Sequence, residues 1–154
     1  MFAVRLALEI LGFEYPKNVR FKCLRCALCC GDVKDKGRLI LLLTVEAEHI
    51  SKKTLKRVDE FAEEIKGFEP YAFRMKKTED GKCMFLKVNS CTIYQIRPLI
   101  CKFYPFELKE TRSNRYTFAH TSECPAIGKG PLLKRNYFVR LFKKFAKAMT
   151  ATRK

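Results

Sequence analysis

Apolar positions fall into a helical period most clearly near the C-terminal end of the chain. Phe138, Leu141, Phe142, Phe145 and Met149 sit at i, i+3, i+4, i+7 and i+11, one face of a helix over 131–150 that Pro131 opens. Lys134, Arg140, Lys143, Lys144 and Lys147 occupy much of the remaining surface. A second helical stretch covers 44–66. Thr44 is placed to cap its start, and Ser51 to cap a second helix in which Leu55, Val58, Phe61, Ala62 and Ile65 keep helical spacing. Gly67 is a natural stop.

The rest of the pattern is short and strand-like. Val19, Phe21 and Cys23 alternate, 38–43 is an apolar run suited to a buried strand, and 71–75 suggests another. Asp35 to Gly37 reads as a turn, and Glu79-Asp80-Gly81 as a turn that delivers Cys83. Residues 83–86 and 91–94 read as short strands joined by Asn89-Ser90, and 102–108 with 115–120 as a hairpin around Ser113-Asn114. Residues 1–14 alternate as a strand would, but their Ala, Leu and Glu favour a short helix. This mixture predicts an α+β fold: a small single domain over 1–154, with short strands and loops around a cysteine-rich site and two longer helices covering one side.

Charge adds a bias. The chain carries 32 Lys and Arg against 16 Asp and Glu, a formal +16. That excess favours polyanions such as nucleic acid or anionic lipid. Metal-bound thiolates would offset part of it, and Lys-rich surfaces also occur in thermophile proteins without any partner. No run reaches the roughly 18 apolar residues of a membrane span. Arg5 and Glu9 interrupt the apolar N-terminus, which has neither a basic leader nor a small-residue cleavage site. The expected location is therefore cytoplasmic, where thiols stay reduced.

Eight cysteines in such a compartment point to metal or redox chemistry rather than to four disulfides. Disulfides remain the alternative reading, as in hyperthermophile cytosols. Cys23-x-x-Cys26-x-x-Cys29-Cys30 is compact, and two-residue gaps let successive thiolates turn towards one centre. The other reading of this run is four small buried hydrophobes. Cys29 and Cys30 are adjacent, so they reach one centre only through a tight turn, which Gly31 could help to make; otherwise they face different centres. Cys83, Cys91, Cys101 and Cys124 form a dispersed second group. Four plus four matches two Cys₄ sites, or one polynuclear centre with cysteines to spare. The compact run favours a [4Fe–4S] centre over zinc. Arg97 is placed to neutralise thiolate charge or to make a surface ion pair. Tyr94, Phe103, Tyr104 and Phe106 would exclude water from the centre or simply pack the core. His49 and His120 read as ordinary histidines, although His120, near Cys124, is a substitute ligand candidate.

Phe21-Lys22-Cys23-x-x-Cys26-x-x-Cys29-Cys30-Gly31 resembles the signature of the CxxCxxCC (YkgJ-like) family of zinc- or iron-chelating domains. Cys83-Met84-Phe85-Leu86, Cys91-Thr92-Ile93-Tyr94, Arg97-Pro98 and Cys101-Lys102-Phe103-Tyr104-Pro105 resemble its second block, and Cys124-Pro125-Ala126-Ile127-Gly128-Lys129-Gly130 its tail. The resemblance spans a motif core of 21–130. It implies that all eight cysteines, Cys23, Cys26, Cys29, Cys30, Cys83, Cys91, Cys101 and Cys124, are metal-ligand candidates. A related module occurs in the longer flagellin lysine methylases.

Gly-rich phosphate loops, HExxH and nucleophile elbows are absent from the sequence. The expectation is a metal-binding cysteine-cluster protein, not an enzyme on its own, working in electron transfer, sensing or an accessory role. The alternatives are a nucleic-acid-binding protein with a structural metal, using the basic C-terminal helix, and an accessory subunit of a protein methyltransferase or oxidoreductase partner.

Overall fold

A computed structural model describes residues 12–32, 37–112 and 115–152. The expected N-terminal helix over 1–14, the turn at Asp35 and the hairpin tip at Ser113-Asn114 lie mostly or wholly outside them. In chain order the strands are β1 (Phe13–Glu14), β2 (Arg20–Phe21), β3 (Leu41–Leu42), β4 (Ala62–Glu64), β5 (Phe73–Met75), β6 (Leu86–Lys87), β7 (Ser90–Cys91), β8 (Phe106–Arg112), β9 (Arg115–His120) and β10 (Ile127–Leu132). The α-helices are α1 (Thr44–Thr54), α2 (Val58–Phe61), α3 (Leu99–Phe103) and α4 (Arg135–Thr152), with 3₁₀ turns at Leu28–Cys30 and Tyr94–Ile96. The fold is α+β, as the pattern predicts. The chain divides into two compact units, one of Met1–Leu24 with Phe103–Arg153 and one of Arg25–Lys102.

The first unit is built on aromatic packing. β8 and β9 pair antiparallel, and β1 joins β9 in parallel with Phe13 opposite Tyr116. α4 lays Phe138, Leu141, Phe142 and Ala146 into this unit's core. Phe142 stacks on Phe13 with centroids 4.9 Å apart, and Phe138 lies 5.1 Å from both Phe106 and Phe118. The apolar face read from the sequence is thus the buried face. The helix begins later than Pro131, because β10 continues through Leu132 and pairs with β2. Leu133 then donates its N–H to Val19 O at 2.9 Å.

In the second unit, β3 and β4 flank β5, with Leu42 opposite Phe73 and Ala62 opposite Met75. The expected helical stretch over 44–66 is interrupted. α1 runs straight through Ser51, whose hydroxyl donates to Lys56 O, and ends at Leu55 in left-handed conformation (φ 59°). α2 is one turn only, with Glu60 accepting the Arg57 N–H at 2.6 Å. Ala62–Glu64 is then drawn into the sheet, where Glu63 pairs with Arg74 at 2.8 Å. Three ladder positions on β5 outweigh the helical preference of so short a segment.

Candidate metal centre

The second unit carries six of the eight cysteines, and its backbone shows how five of them come together. Arg25 and Ala27 both take left-handed conformations (φ 54° and 65°), which coil the run tightly. The 3₁₀ turn Leu28–Cys30 follows, closed by Cys30 N–H to Ala27 O at 3.1 Å. Three residues per turn set neighbouring side chains about 120° apart instead of opposite. Cys29 and Cys30 consequently share a thiol–thiol hydrogen bond. Gly31 plays a different part from the one its position suggests. Its φ of 175° is extended backbone. It bridges Lys82, and an added Cβ would stand 2.6 Å from Gly81 O and 2.8 Å from Lys82 Cα. Only glycine allows that approach.

This contact aligns the two cysteine segments. Cys83 N–H donates to Cys30 O at 2.6 Å, and Asp32 N–H to Gly81 O at 2.9 Å. Asp32 strengthens the junction by accepting from Lys77 Nζ at 2.5 Å and from the Arg38 N–H at 2.7 Å. Past Cys83, Val88 and Asn89 make a two-residue turn with both φ positive (47° and 59°). The turn folds β6 onto β7 and sets Cys91 opposite Leu86. Cys101 rides on α3, which also takes Lys102 and Phe103 out of the strand expected at 102–108. Pro98 O accepts the N–H of both Cys101 and Lys102, and Glu46 accepts the Leu99 N–H at the start of that helix.

The result is a gathered set of thiols. Each of Cys29, Cys30, Cys83, Cys91 and Cys101 lies within electrostatic reach of at least three of the others. Cys83 belongs to the unit's apolar core, and Cys30, Cys91 and Cys101 pack against it beside Phe61, Phe85 and Ile93. Burial pushes the Cys101 thiol up to about 12, with the neighbouring cysteines adding to the rise and Arg38 opposing it. Burial raises Cys83 as well, while the N–H groups of Phe85 and Leu86 at its sulfur pull it partly back. Donating to Cys30 makes Cys29 hold its proton, and Cys30, accepting, is the acidic member of the pair.

Sequence reasoning missed Arg38. It is half-buried, and its charge favours thiolate at both Cys29 and Cys101. The only signal was a cation at the head of the apolar run 38–43. Arg97 instead lies 3.9 Å from the Tyr94 ring centroid and donates to Tyr94 O at 2.7 Å, with Arg25 4.5 Å from the same ring. Phe103 and Phe106 pack within the first unit, and Phe61, Phe85 and Ile93 line the thiols in their place. Cys26 is exposed. Cys23 and Cys124 belong to the first unit, where the Phe21–Ile127 pairing sets both beyond the same end of the β2–β10 ladder. His49 is exposed on α1, and His120 is exposed with its ring edge-on to Phe106.

Five like groups that would repel one another as thiolates, walled by apolar side chains, call for a compensating cation. An all-sulfur donor set suits zinc or iron. Among the described residues, no three donors converge on one point at ligating distance. The set is gathered without being a closed shell, and these residues fit a thiolate-bound metal.

The class defined here is a thiolate metal-binding module. The chain belongs to the CxxCxxCC family, described as "Putative zinc- or iron-chelating domain", whose model matches residues 22–125. It is 26% identical over 112 residues to "Uncharacterized protein MJ0661" of Methanocaldococcus jannaschii, covering 69% of this chain and 55% of that protein. The chain therefore spans about half the length of this curated relative. No solved structure matches it.

Proposed function

We propose that the protein holds an iron–sulfur centre of the [4Fe–4S] type and serves in electron transfer, sensing or an accessory role to a partner enzyme in a reducing, cytoplasmic setting. The observation that carries this is the gathering of Cys29, Cys30, Cys83, Cys91 and Cys101 in one unit. Four of these would supply the ligands, with Cys23, Cys26 and Cys124 completing the candidates. A structural zinc needs only four thiolates, commonly as paired knuckles, whereas here adjacent cysteines lie in one turn and a fifth stands close by. The centre would supply one-electron chemistry. The chain's residues orient the sulfurs through the Cys30–Cys83 junction and exclude water with Phe61, Phe85 and Ile93. Backbone N–H groups at Cys83 and the charge of Arg38 favour the thiolate form.

The test is anaerobic purification followed by metal analysis and visible absorption spectroscopy. Iron with matching sulfide and a visible charge-transfer band is the expected result. Stoichiometric zinc without colour would replace the iron reading, and a fully folded, metal-free protein would refute both.

A further inference from the structure

The positive charge of the chain is unevenly shared. The first unit holds fifteen Lys and Arg against five Glu, a net +10, while residues 25–102 of the second hold sixteen against eleven acidic residues and most of the cysteines. Within the first unit the charge is ordered. Arg140, Lys143, Lys144 and Lys147 stand at i, i+3, i+4 and i+7 on α4, all exposed, opposite the buried stripe of Phe138, Leu141, Phe142 and Ala146. No acidic residue follows Glu123 in the sequence. Among the described residues, no carboxylate pairs with any of these four cations, although exposed pairs form elsewhere, as at Arg57–Asp59 and Lys109–Glu107. Four like charges on one face of a helix repel one another, so the array is not there to stabilise the helix.

We propose that this stripe binds the phosphate backbone of double-stranded DNA without sequence preference. A membrane surface fits less well. An interfacial helix needs an exposed apolar face to bury among lipids, and the apolar face of α4 is already packed on Phe13, Phe106 and Phe118. Single strands fit less well because they are held by aromatic platforms, and among the described residues of this unit every Phe and Tyr side chain is buried or half-buried. The stripe is about 10 Å long at 1.5 Å per residue. Against one phosphate per roughly 3.4 Å along each strand, it faces about three or four phosphates. The wide major groove of B-form DNA admits a helix, whereas the deep, narrow groove of duplex RNA does not.

The inference is independent of the metal reading, since it uses neither a cysteine nor a metal. The experiment is fluorescence anisotropy of the whole protein, as purified anaerobically, with a labelled DNA duplex of scrambled sequence. With about four phosphates neutralised, affinity should fall about 100-fold between roughly 50 and 200 mM salt. Lys143→Gln, Lys144→Gln and Lys147→Gln combined should bring the salt slope to about a quarter of its original value, because the slope follows the number of contacts. Circular dichroism and metal content of that variant should match the parent. Lys52→Gln with Lys53→Gln, exposed on α1, should leave the slope unchanged. The proposal is overturned by absent binding at low salt, by an unaltered slope in the triple variant, or by equal or tighter binding to duplex RNA or anionic vesicles.

Discussion

Replacing Gly31 by alanine tests the junction that brings Cys29 and Cys30 to Cys83. The new methyl would stand 2.6 Å from Gly81 O, 2.8 Å from Lys82 Cα and 2.7 Å from Lys82 Cδ. The lysine side chain can swing away, but the two backbone atoms cannot. Reaching an ordinary contact of 3.4 Å requires the strands to part by several tenths of an ångström. The hydrogen bonds from Asp32 N–H to Gly81 O and from Cys83 N–H to Cys30 O then stretch or break. Two such bonds at about 1 kcal/mol each, with overpacking of about 1–3 kcal/mol, give a destabilisation of roughly 3–5 kcal/mol. For a unit of this size that lowers its melting temperature by roughly 10 °C or more. The assay is thermal unfolding of the metal-loaded protein together with metal content per chain. Gly12→Ala is the control, since a Cβ there meets nothing within 4 Å. If Gly31→Ala melts and binds metal like the parent, the junction does not organise the site.

Cys101→Ser should reduce both metal content and melting temperature, because the thiol is a proposed ligand and also packs against the apolar core; equal values in parent and variant would contradict this. The metal-free protein should lose stability as pH rises from near 9.0 towards about 12, since the Cys101 proton is held more tightly folded than unfolded; metal loading should abolish that loss and replace it with release in acid, as followed by denaturant titration across pH. Arg38→Leu should slow alkylation of the metal-free thiols at mildly alkaline pH by removing the charge that favours thiolate at Cys29 and Cys101, with Arg38→Lys recovering part of the rate. Val88→Asn should stabilise the β6–β7 hairpin by about 1 kcal/mol, because a β-branched residue is strained at φ 47°; denaturant unfolding would show it.

The parts of the fold that could be read from the chain were those where one face is buried over a long segment. The α4 face is the example, since Phe138, Leu141, Phe142 and Ala146 repeat over about two turns. Within the run 38–43 the strand Leu41–Leu42, within 71–75 the strand Phe73–Met75, and the turn at Gly81 were also legible, because apolar runs and glycine are local signals. Segments decided by partners were not. Ala62 continues a helical pattern, yet its backbone pairs with Met75. Leu55, Val88 and Asn89 adopt left-handed conformations that Leu and Val do not advertise. The eight cysteines were visible as candidates, but their grouping was not. Cys30 meets Cys83 through Gly31 and Lys82, a pairing of residues roughly fifty positions apart that spacing alone does not reveal.

Cys83 is a core residue of its unit, and Cys30, Cys91 and Cys101 pack directly on that core. On the proposed reading, the same positions specify hydrophobic packing and metal capture. A chain made while metal is scarce lacks the stabilisation that bound metal would add to that core, and spends more time unfolded. Cellular chaperones and proteases act on that unfolded fraction, where a change of about 1–2 kcal/mol alters abundance several-fold. The amount of this protein in a cell should therefore follow the supply of its metal even under constant synthesis, making its turnover a readout of metal availability.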